Sequence, residues 1–148
     1  MSILSHFNSA LTIASKDPGC TEEEIQELIT FSPVTIPHDY LGIVREATEV
    51  EIKVNLAAEG QWFLRIWGPI NCIDMNTAYN IQEVFPESLA IGDNEGCGLL
   101  VYLPSDPKPG IYLVRTSYIH KKGAVYIAQN LTELLTNGNN LRLVFKTE

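Results

Sequence analysis

Apolar residues are spaced as in helices near the start of the chain. Over residues 2–15 they recur three and four positions apart, which predicts an amphipathic helix. A second helix is predicted to begin at Thr21, because Thr21 and Glu24 have the spacing of a capping box. Pro37 can occupy the first turn of a third, short helix. The buried stripe of the second helix is predicted to be Ile25, Leu28 and Ile29.

The hydrophobic period then changes from the helical value to two. Residues 49–54 and 62–67 each alternate apolar and polar side chains, and the short segment between them predicts a hairpin. The register that pairs Val50 with Ile66 places the apolar residues of both strands on one face, whereas a slip of one residue would bury charge. The other face then pairs Glu49 with Trp67, Glu51 with Arg65 and Lys53 with Phe63.

Short strands and helices alternate in the rest of the chain. A helix is predicted to begin at Asp74 and another at Asn130, where Glu133 completes a second capping-box spacing. Residues 141–145 are predicted as an edge strand, open to pairing with a second copy or to capping. Further strands are predicted at 88–91, 97–103, 111–115 and 124–128. This order is typical of an α+β protein: a single domain over residues 1–148, with N-terminal helices, a largely antiparallel twisted sheet and short inserted helices.

Charge narrows the classes of partner. The 148 residues include 18 acidic and 10 basic side chains, a net charge of −8, within an ordinary globular composition. Of these, 16 acidic but only 4 basic side chains precede residue 108, so one region of the surface is predicted to be strongly acidic. Such a surface repels phosphate, which argues against binding to nucleic acid or to an anionic membrane. It favours a basic protein partner.

The cysteines and the apolar runs bear on the compartment. Cys20, Cys72 and Cys97 include no C-x-x-C pair, and an odd, sparse set favours reduced thiols over a disulfide framework. No basic residue precedes Lys16, as a signal peptide would require, and no apolar run approaches the ~20 residues that span a bilayer. We therefore expect a cytoplasmic protein.

No group of residues has the pattern of an active site. The three histidines lack metal-ligand spacing to one another or to a cysteine, and Cys97 has no base beside it in sequence. Glu49 and Glu51 could form a carboxylate pair, but the basic neighbours Lys53 and Arg65 favour a neutralised polar sheet face. We expect no catalytic residue, no cofactor and no metal.

A series of short motifs resembles a known family. Its members follow in chain order: Glu24-Ile25, Ile36-Pro37-His38-Asp39-Tyr40, Trp67-Gly68-Pro69, Asn76, Tyr79, Pro86, the run Leu89-Ala90-Ile91-Gly92-Asp93-Asn94-Glu95-Gly96-Cys97-Gly98, and Ile127-Ala128. Their order resembles the SUKH superfamily, the Smi/Knr-like proteins, whose hallmark is an Ile-Gly turn into an acidic loop and a strand. The similarity covers roughly residues 21–136.

The resemblance implies an α+β domain without enzymatic activity that binds other proteins. For a bacterial member it implies an immunity protein that neutralises a cognate toxin, often a nuclease, of a polymorphic or contact-dependent toxin system. The alternatives are a regulatory scaffold that binds an endogenous protein and a small-ligand binder or enzyme built on Trp67, Tyr79 and Tyr40. The acids would steer a basic partner while an aromatic ring supplies contact area. The candidate partner-binding residues are Glu49, Glu51, Trp67, Asp93 and Glu95.

Overall fold

The computed structural model describes residues 2–105 and 107–145, which form an α+β fold around a seven-stranded sheet. The strands lie side by side in chain order, and each pairs antiparallel with the next. They are β1 (Leu11–Pro18), β2 (Ala47–Asn55), β3 (Gln61–Ile66), β4 (Leu89–Asp93), β5 (Gly98–Leu103), β6 (Gly110–Arg115) and β7 (Val125–Ala128). The α-helices are α1 (Glu22–Phe31), α2 (His38–Glu46), α3 (Pro69–Ala78), α4 (Ile81–Val84), α5 (Leu131–Leu135) and α6 (Leu141–Val144). The predicted fold class is confirmed.

The start of the chain departs most from its predicted structure. The helix predicted over residues 2–15 is wrong: a short 3-10 turn at Ile3–Ser5 is followed by strand β1, which pairs with β2 from Leu11–Val54 onward. Strand β1 satisfies the backbone groups along the outer edge of β2, which a helix could not do. Long-range pairing has therefore overridden the local helical spacing.

Helix α1 begins as predicted. Thr21 Oγ1 accepts a hydrogen bond from Glu24 N at 3.1 Å, and Glu24 Oε1 accepts one from Thr21 N at 2.9 Å, so the capping box is complete. Ile25 and Leu28 are buried, but Ile29 is 45% exposed. The predicted stripe is wrong at that one position.

The predicted register of β2 and β3 is confirmed. Val50 pairs with Ile66 and Glu51 with Arg65, and the apolar face of this hairpin is buried beneath the helices. The pairing stops at Val50, so Glu49 is not opposite a partner on β3. The strands predicted later in the chain are β4 to β7, with small shifts at their ends.

Three helices after the hairpin differ in how well sequence predicted them. Helix α5 begins as predicted, with the Asn130 side chain accepting from Glu133 N at 2.8 Å. Asp74 does not cap a helix, because α3 begins at Pro69 and Asp74 lies within it. The edge strand predicted at 141–145 is wrong. Residues 141–144 form α6. At its end the ring of Phe145 stacks on the ring of Trp62 in β3, with 5.6 Å between the ring centres.

Candidate functional site

Four charged side chains meet where β2, β3 and β4 lie side by side. Arg65 pairs in register with Glu51 on β2 and with Asp93 on β4. Its Nη2 atom lies 3.3 Å from Glu51 Oε2 and 3.5 Å from Glu95 Oε2. We call Glu51, Arg65, Asp93 and Glu95 the Arg65 cluster. Two carboxyl groups thus contact one guanidinium, and a third belongs to its neighbour on β4.

The turn between β4 and β5 holds Glu95 against this cluster. Asp93 Oδ1 accepts from Glu95 N at 2.8 Å, and Asp93 Oδ2 accepts from Trp67 Nε1 at 2.8 Å. Asn94 Oδ1 accepts from Gly98 N at 2.9 Å, which closes the turn. Glu95 has a φ of 55°, a left-handed conformation that costs energy for a residue with a side chain. These bonds hold the strained residue in place.

The Glu95 carboxyl titrates in an unusual range. Desolvation raises its pKa to about 7, and a hydrogen bond and charge repulsion from Glu51 add to the effect. Arg65 lowers the pKa, and Asp93 raises it slightly. An ordinary exposed glutamate is fully ionised at neutral pH. Glu95 is therefore a group whose charge changes near neutrality.

A groove of about 630 Å³ adjoins the cluster. It runs between the β1–α1 connection, the start of β2 and the start of α3, and none of the described residues that line it is basic. Its acidic lining residues are Asp17, Glu24, Glu49 and Asp74. Ile70, which is 39% exposed, adds an apolar surface among them. Because Arg65 Nη1 donates to Glu49 O at 3.4 Å, the groove and the cluster share a border.

Glu49 belongs to the groove rather than to the cluster. Its φ of 46° directs its side chain to the start of α3, where Oε2 accepts from Gly68 N at 2.6 Å and Oε1 from Asn71 Nδ2 at 2.9 Å. Gly68 precedes the first turn of the helix, so the carboxylate lies at the positive end of the helix dipole. Glu49 and Glu51 thus bind different groups, and the carboxylate pair allowed by their spacing does not form.

Trp67 is not the exposed ring that alternation predicts. It is 1% exposed, its carbonyl accepts from Tyr40 OH at 2.7 Å, and its indole N–H donates to Asp93. Strand β3 ends at Ile66, so the alternation stops one residue before Trp67 and the ring enters the core. The expectation that Trp67 offers contact area is therefore wrong. Trp62, predicted to face inward, is 40% exposed.

The structure brings together four of the five predicted contact residues at the surface. Glu51, Asp93 and Glu95 share the Arg65 cluster, and Glu49 lines the neighbouring groove. Sequence reasoning missed Ile70, because the helix that carries it was predicted to begin later. A proline three residues after the end of β3 was the available signal, since Pro69 occupies the first position of α3.

The acidic surface continues onto helix α1. Glu22, Glu23 and Glu27 line a shallow depression on its outer side. Glu22 also pairs with Arg45, with Oε2 3.1 Å from Nε, but both side chains are largely exposed, so solvent screens the pair and it adds little to stability. The groove, the Arg65 cluster and this side of α1 together form what we call the acidic face.

Lysines lie near the opposite edge of the sheet. Lys108 follows β5, with its Nζ atom 3.9 Å from the centre of the Tyr126 ring on β7. Lys121 and Lys122 lie in the connection between β6 and β7. Because β1 and β7 are the two edges of the sheet, these lysines lie away from the groove, which takes Asp17 from β1.

The described residues give no support to metal or thiol chemistry. Among residues 2–105 and 107–145, no three His, Cys, Asp or Glu side chains are placed to hold a metal ion. The three cysteines are free, and burial raises the pKa of the Cys72 thiol to about 12, so this thiol stays protonated at neutral pH. Tyr40 and Trp67 are buried in the core and do not surround an open cleft.

In the described part of the chain, no helix has both the length and the apolar character that crossing a bilayer needs.

The molecule is thus an α+β protein built on one antiparallel sheet, with an acidic face beside strands β1 to β4. Within this class, the chain belongs to the SMI1 / KNR4 family (SUKH-1), whose family model matches residues 19–137. The resemblance drawn from the sequence motifs is confirmed. Membership is consistent with a domain of the immunity-protein type and with protein–protein interaction. No individual curated protein matches the chain significantly.

Proposed function

We propose that this protein is a non-catalytic binding module of the cytoplasm, and specifically an immunity protein that neutralises a toxin with a basic surface. A nuclease of a polymorphic or contact-dependent toxin system has such a surface, because its substrate is a polyanion. The observation that carries the proposal is the acidic groove beside the Arg65 cluster. An acidic inhibitor is the electrostatic complement of a basic substrate cleft.

The groove combines the two elements that protein interfaces use. Exposed carboxylates such as Asp17 and Asp74 attract a basic partner over distance and increase the association rate. Ile70, which lines the same groove, offers apolar area that can be buried on contact. In this proposal Ile70 takes the role that the sequence assigned to Trp67.

Glu51, Asp93 and Glu95 border the groove and extend the proposed contact surface. Their carboxyl groups are partly exposed and are attached to a turn fixed by internal hydrogen bonds. A surface that is already ordered loses little conformational entropy on binding. Glu49 contributes charge to the groove while it holds the start of α3.

Co-expression with the toxin encoded by the neighbouring gene tests this function. The wild-type protein should restore growth and co-purify with the toxin. The double variant Asp17→Lys/Asp74→Lys should lose both effects, because it reverses charge in the groove at two exposed positions. The matched control Glu83→Lys/Glu87→Lys makes the same change in net charge at exposed positions outside the groove, and it should behave as wild type.

Two results would contradict the proposal. If the wild-type protein neither restores growth nor binds the toxin, the immunity function is wrong. An endogenous protein that co-purifies in place of the toxin, and no longer does so with the groove variant, would favour the regulatory scaffold. If the groove variant and its control bind the toxin equally, the contact surface lies elsewhere on the molecule.

A further inference from the structure

Two carboxyl groups in the Arg65 cluster compete for one cation. Arg65 Nη2 is within 3.5 Å of an oxygen of both Glu51 and Glu95. Asp93 accepts hydrogen bonds from Trp67 Nε1 and from Glu95 N, so its oxygens are occupied. One guanidinium cannot fully neutralise two carboxylates held this close, and two such carboxyl groups tend to retain a proton between them.

We propose that the Glu95 carboxyl holds a proton at neutral pH and donates it in a hydrogen bond to Glu51, and that the acidic face gains one negative charge when this shared proton leaves. The inference rests on the proposed function in one respect, that the acidic face is the contact surface; the shared proton itself is a property of the free protein. It adds a regulation of that surface, because protons and the cationic side chains of a partner compete for the same carboxyl groups.

The surroundings of Glu95 fix the direction of this effect. Glu51 of β2 and Asp93 of β4 favour its protonated form, and Arg65 of β3 opposes them. Lys53 lies two residues from Glu51 on the same face of β2. Desolvation is the largest cause that raises the pKa of Glu95 to about 7, and the hydrogen bond and charge of Glu51 add to it.

The turn limits how the cluster can relieve repulsion after the proton leaves. The hydrogen bond from Glu95 N to Asp93 Oδ1 and the bond from Gly98 N to Asn94 Oδ1 hold the backbone. The Glu95 side chain, which is 27% exposed, can still move toward solvent. A basic partner should therefore bind more tightly as pH rises through neutrality, and its binding should release a proton.

Carboxyl-carbon NMR titration of the free protein tests the shared proton directly. In the wild-type protein the Glu95 resonance should change with a midpoint near neutral pH, and the Trp67 indole N–H resonance should follow it through Asp93. The variant Glu51→Gln should lower the Glu95 midpoint by about one pH unit or more, because the repelling charge is gone. Glu83→Gln, an exposed control on α4, should leave it unchanged.

A Glu95 midpoint in the ordinary glutamate range, near pH 4–5, would overturn the proposal, and so would a midpoint that Glu51→Gln leaves in place.

If the co-expression test identifies a toxin that binds the protein, the pH dependence of that binding provides a second measurement. Its dissociation constant should fall several-fold between about pH 6 and pH 8 for the wild-type protein and change less for Glu95→Gln. Toxin binding without that pH dependence refutes the switch and leaves the immunity function intact. A neutral midpoint without toxin binding refutes the function alone.

Discussion

Asn76 on α3 pairs through its side-chain amide with both backbone polar groups of Ala90 on β4. Its Nδ2 atom donates to Ala90 O at 2.8 Å, and its Oδ1 atom accepts from Ala90 N at 2.9 Å. Strand β3 pairs with β4 only at Arg65–Asp93 and Ile66–Gly92, so Ala90 has no neighbour on that strand. The side chain of Asn76 therefore replaces a strand at this place and fixes α3 to the sheet.

Asn76→Ala should lower the free energy of unfolding by about 2–3 kcal/mol, because the buried N–H of Ala90 then lacks an acceptor. Cys72 Sγ also donates to Ala90 O, so the carbonyl keeps one partner. Urea denaturation measures the change. The exposed control Asn139→Ala should shift stability by less than about 0.5 kcal/mol.

Asn76→Asp provides a second, independent check on the same contact. The carboxylate restores an acceptor for Ala90 N but faces the carbonyl oxygens of Ala90 and Cys72 without a proton to donate. We expect this variant to be less stable than wild type at neutral pH and to recover part of the loss as the carboxyl becomes protonated at low pH. Equal stability of Asn76→Asp and wild type at neutral pH would contradict the assignment.

Glu49→Ala should destabilise the protein by about 1–2 kcal/mol, because the start of α3 loses a carboxylate that accepts from Gly68 N and Asn71. Glu49→Gln keeps an acceptor but not the charge, and it should lose about half as much. Thermal denaturation of both variants separates the hydrogen bond from the charge. If alanine and glutamine cost the same, the negative charge contributes all of the effect.

The two tryptophans should report opposite environments. In Trp62→Phe, the remaining Trp67 should fluoresce at short wavelength and resist quenching by acrylamide, because it is buried. In Trp67→Phe, the remaining Trp62 should emit at longer wavelength and be quenched readily. Trp67→Phe should also destabilise the protein by about 2 kcal/mol or more, since the smaller ring leaves a cavity and Asp93 without its indole donor. The reverse pattern of quenching would place Trp67 at the surface.

Stability should fall as pH rises toward neutrality. The pKa of Glu95 is about 7 in the folded protein and near its ordinary value of 4.5 in the unfolded chain. The folded state therefore binds more protons between these values, so this stabilisation is fully present below about pH 4.5 and is lost as pH rises through about 7. Urea denaturation over this range should show the decline in wild type and a smaller one in Glu95→Gln. An equal slope in the two proteins would exclude Glu95 as its source.

Local signals in the sequence were sufficient for part of this structure. The capping boxes at Thr21 and Asn130 involve residues three positions apart, so their chemistry is visible without the fold. The β2–β3 register follows from alternation in two neighbouring runs, which permits only one pairing without buried charge. This register also placed Glu51 beside Arg65.

The remaining features depend on contacts that local patterns do not contain. Strand β1 exists because it covers the edge of β2, a strand separated from it by two helices. The side chain of Trp67 turns inward because β3 ends one residue before it. The charge of the acidic face depends on the ion pair between Arg65 on β3 and Glu95 in the turn after β4. The order of the residues in the sequence does not reveal this contact. Tertiary context decides each of these cases.

The order of the strands also affects how the protein folds. Every strand pairs with the next one in the chain, and short connections join β2 to β3 and then β4 through β7, so these pairs can close at little cost in chain entropy. Two closures are longer: β3 reaches β4 across α3 and α4, and β1 reaches β2 across α1 and α2. The groove takes Asp17 from β1, Glu49 from β2 and Asp74 from α3, so it is complete only after β1 has paired with β2. A chain that has folded all but its first strand would lack the groove, which makes docking of β1 the step that renders the molecule competent to bind.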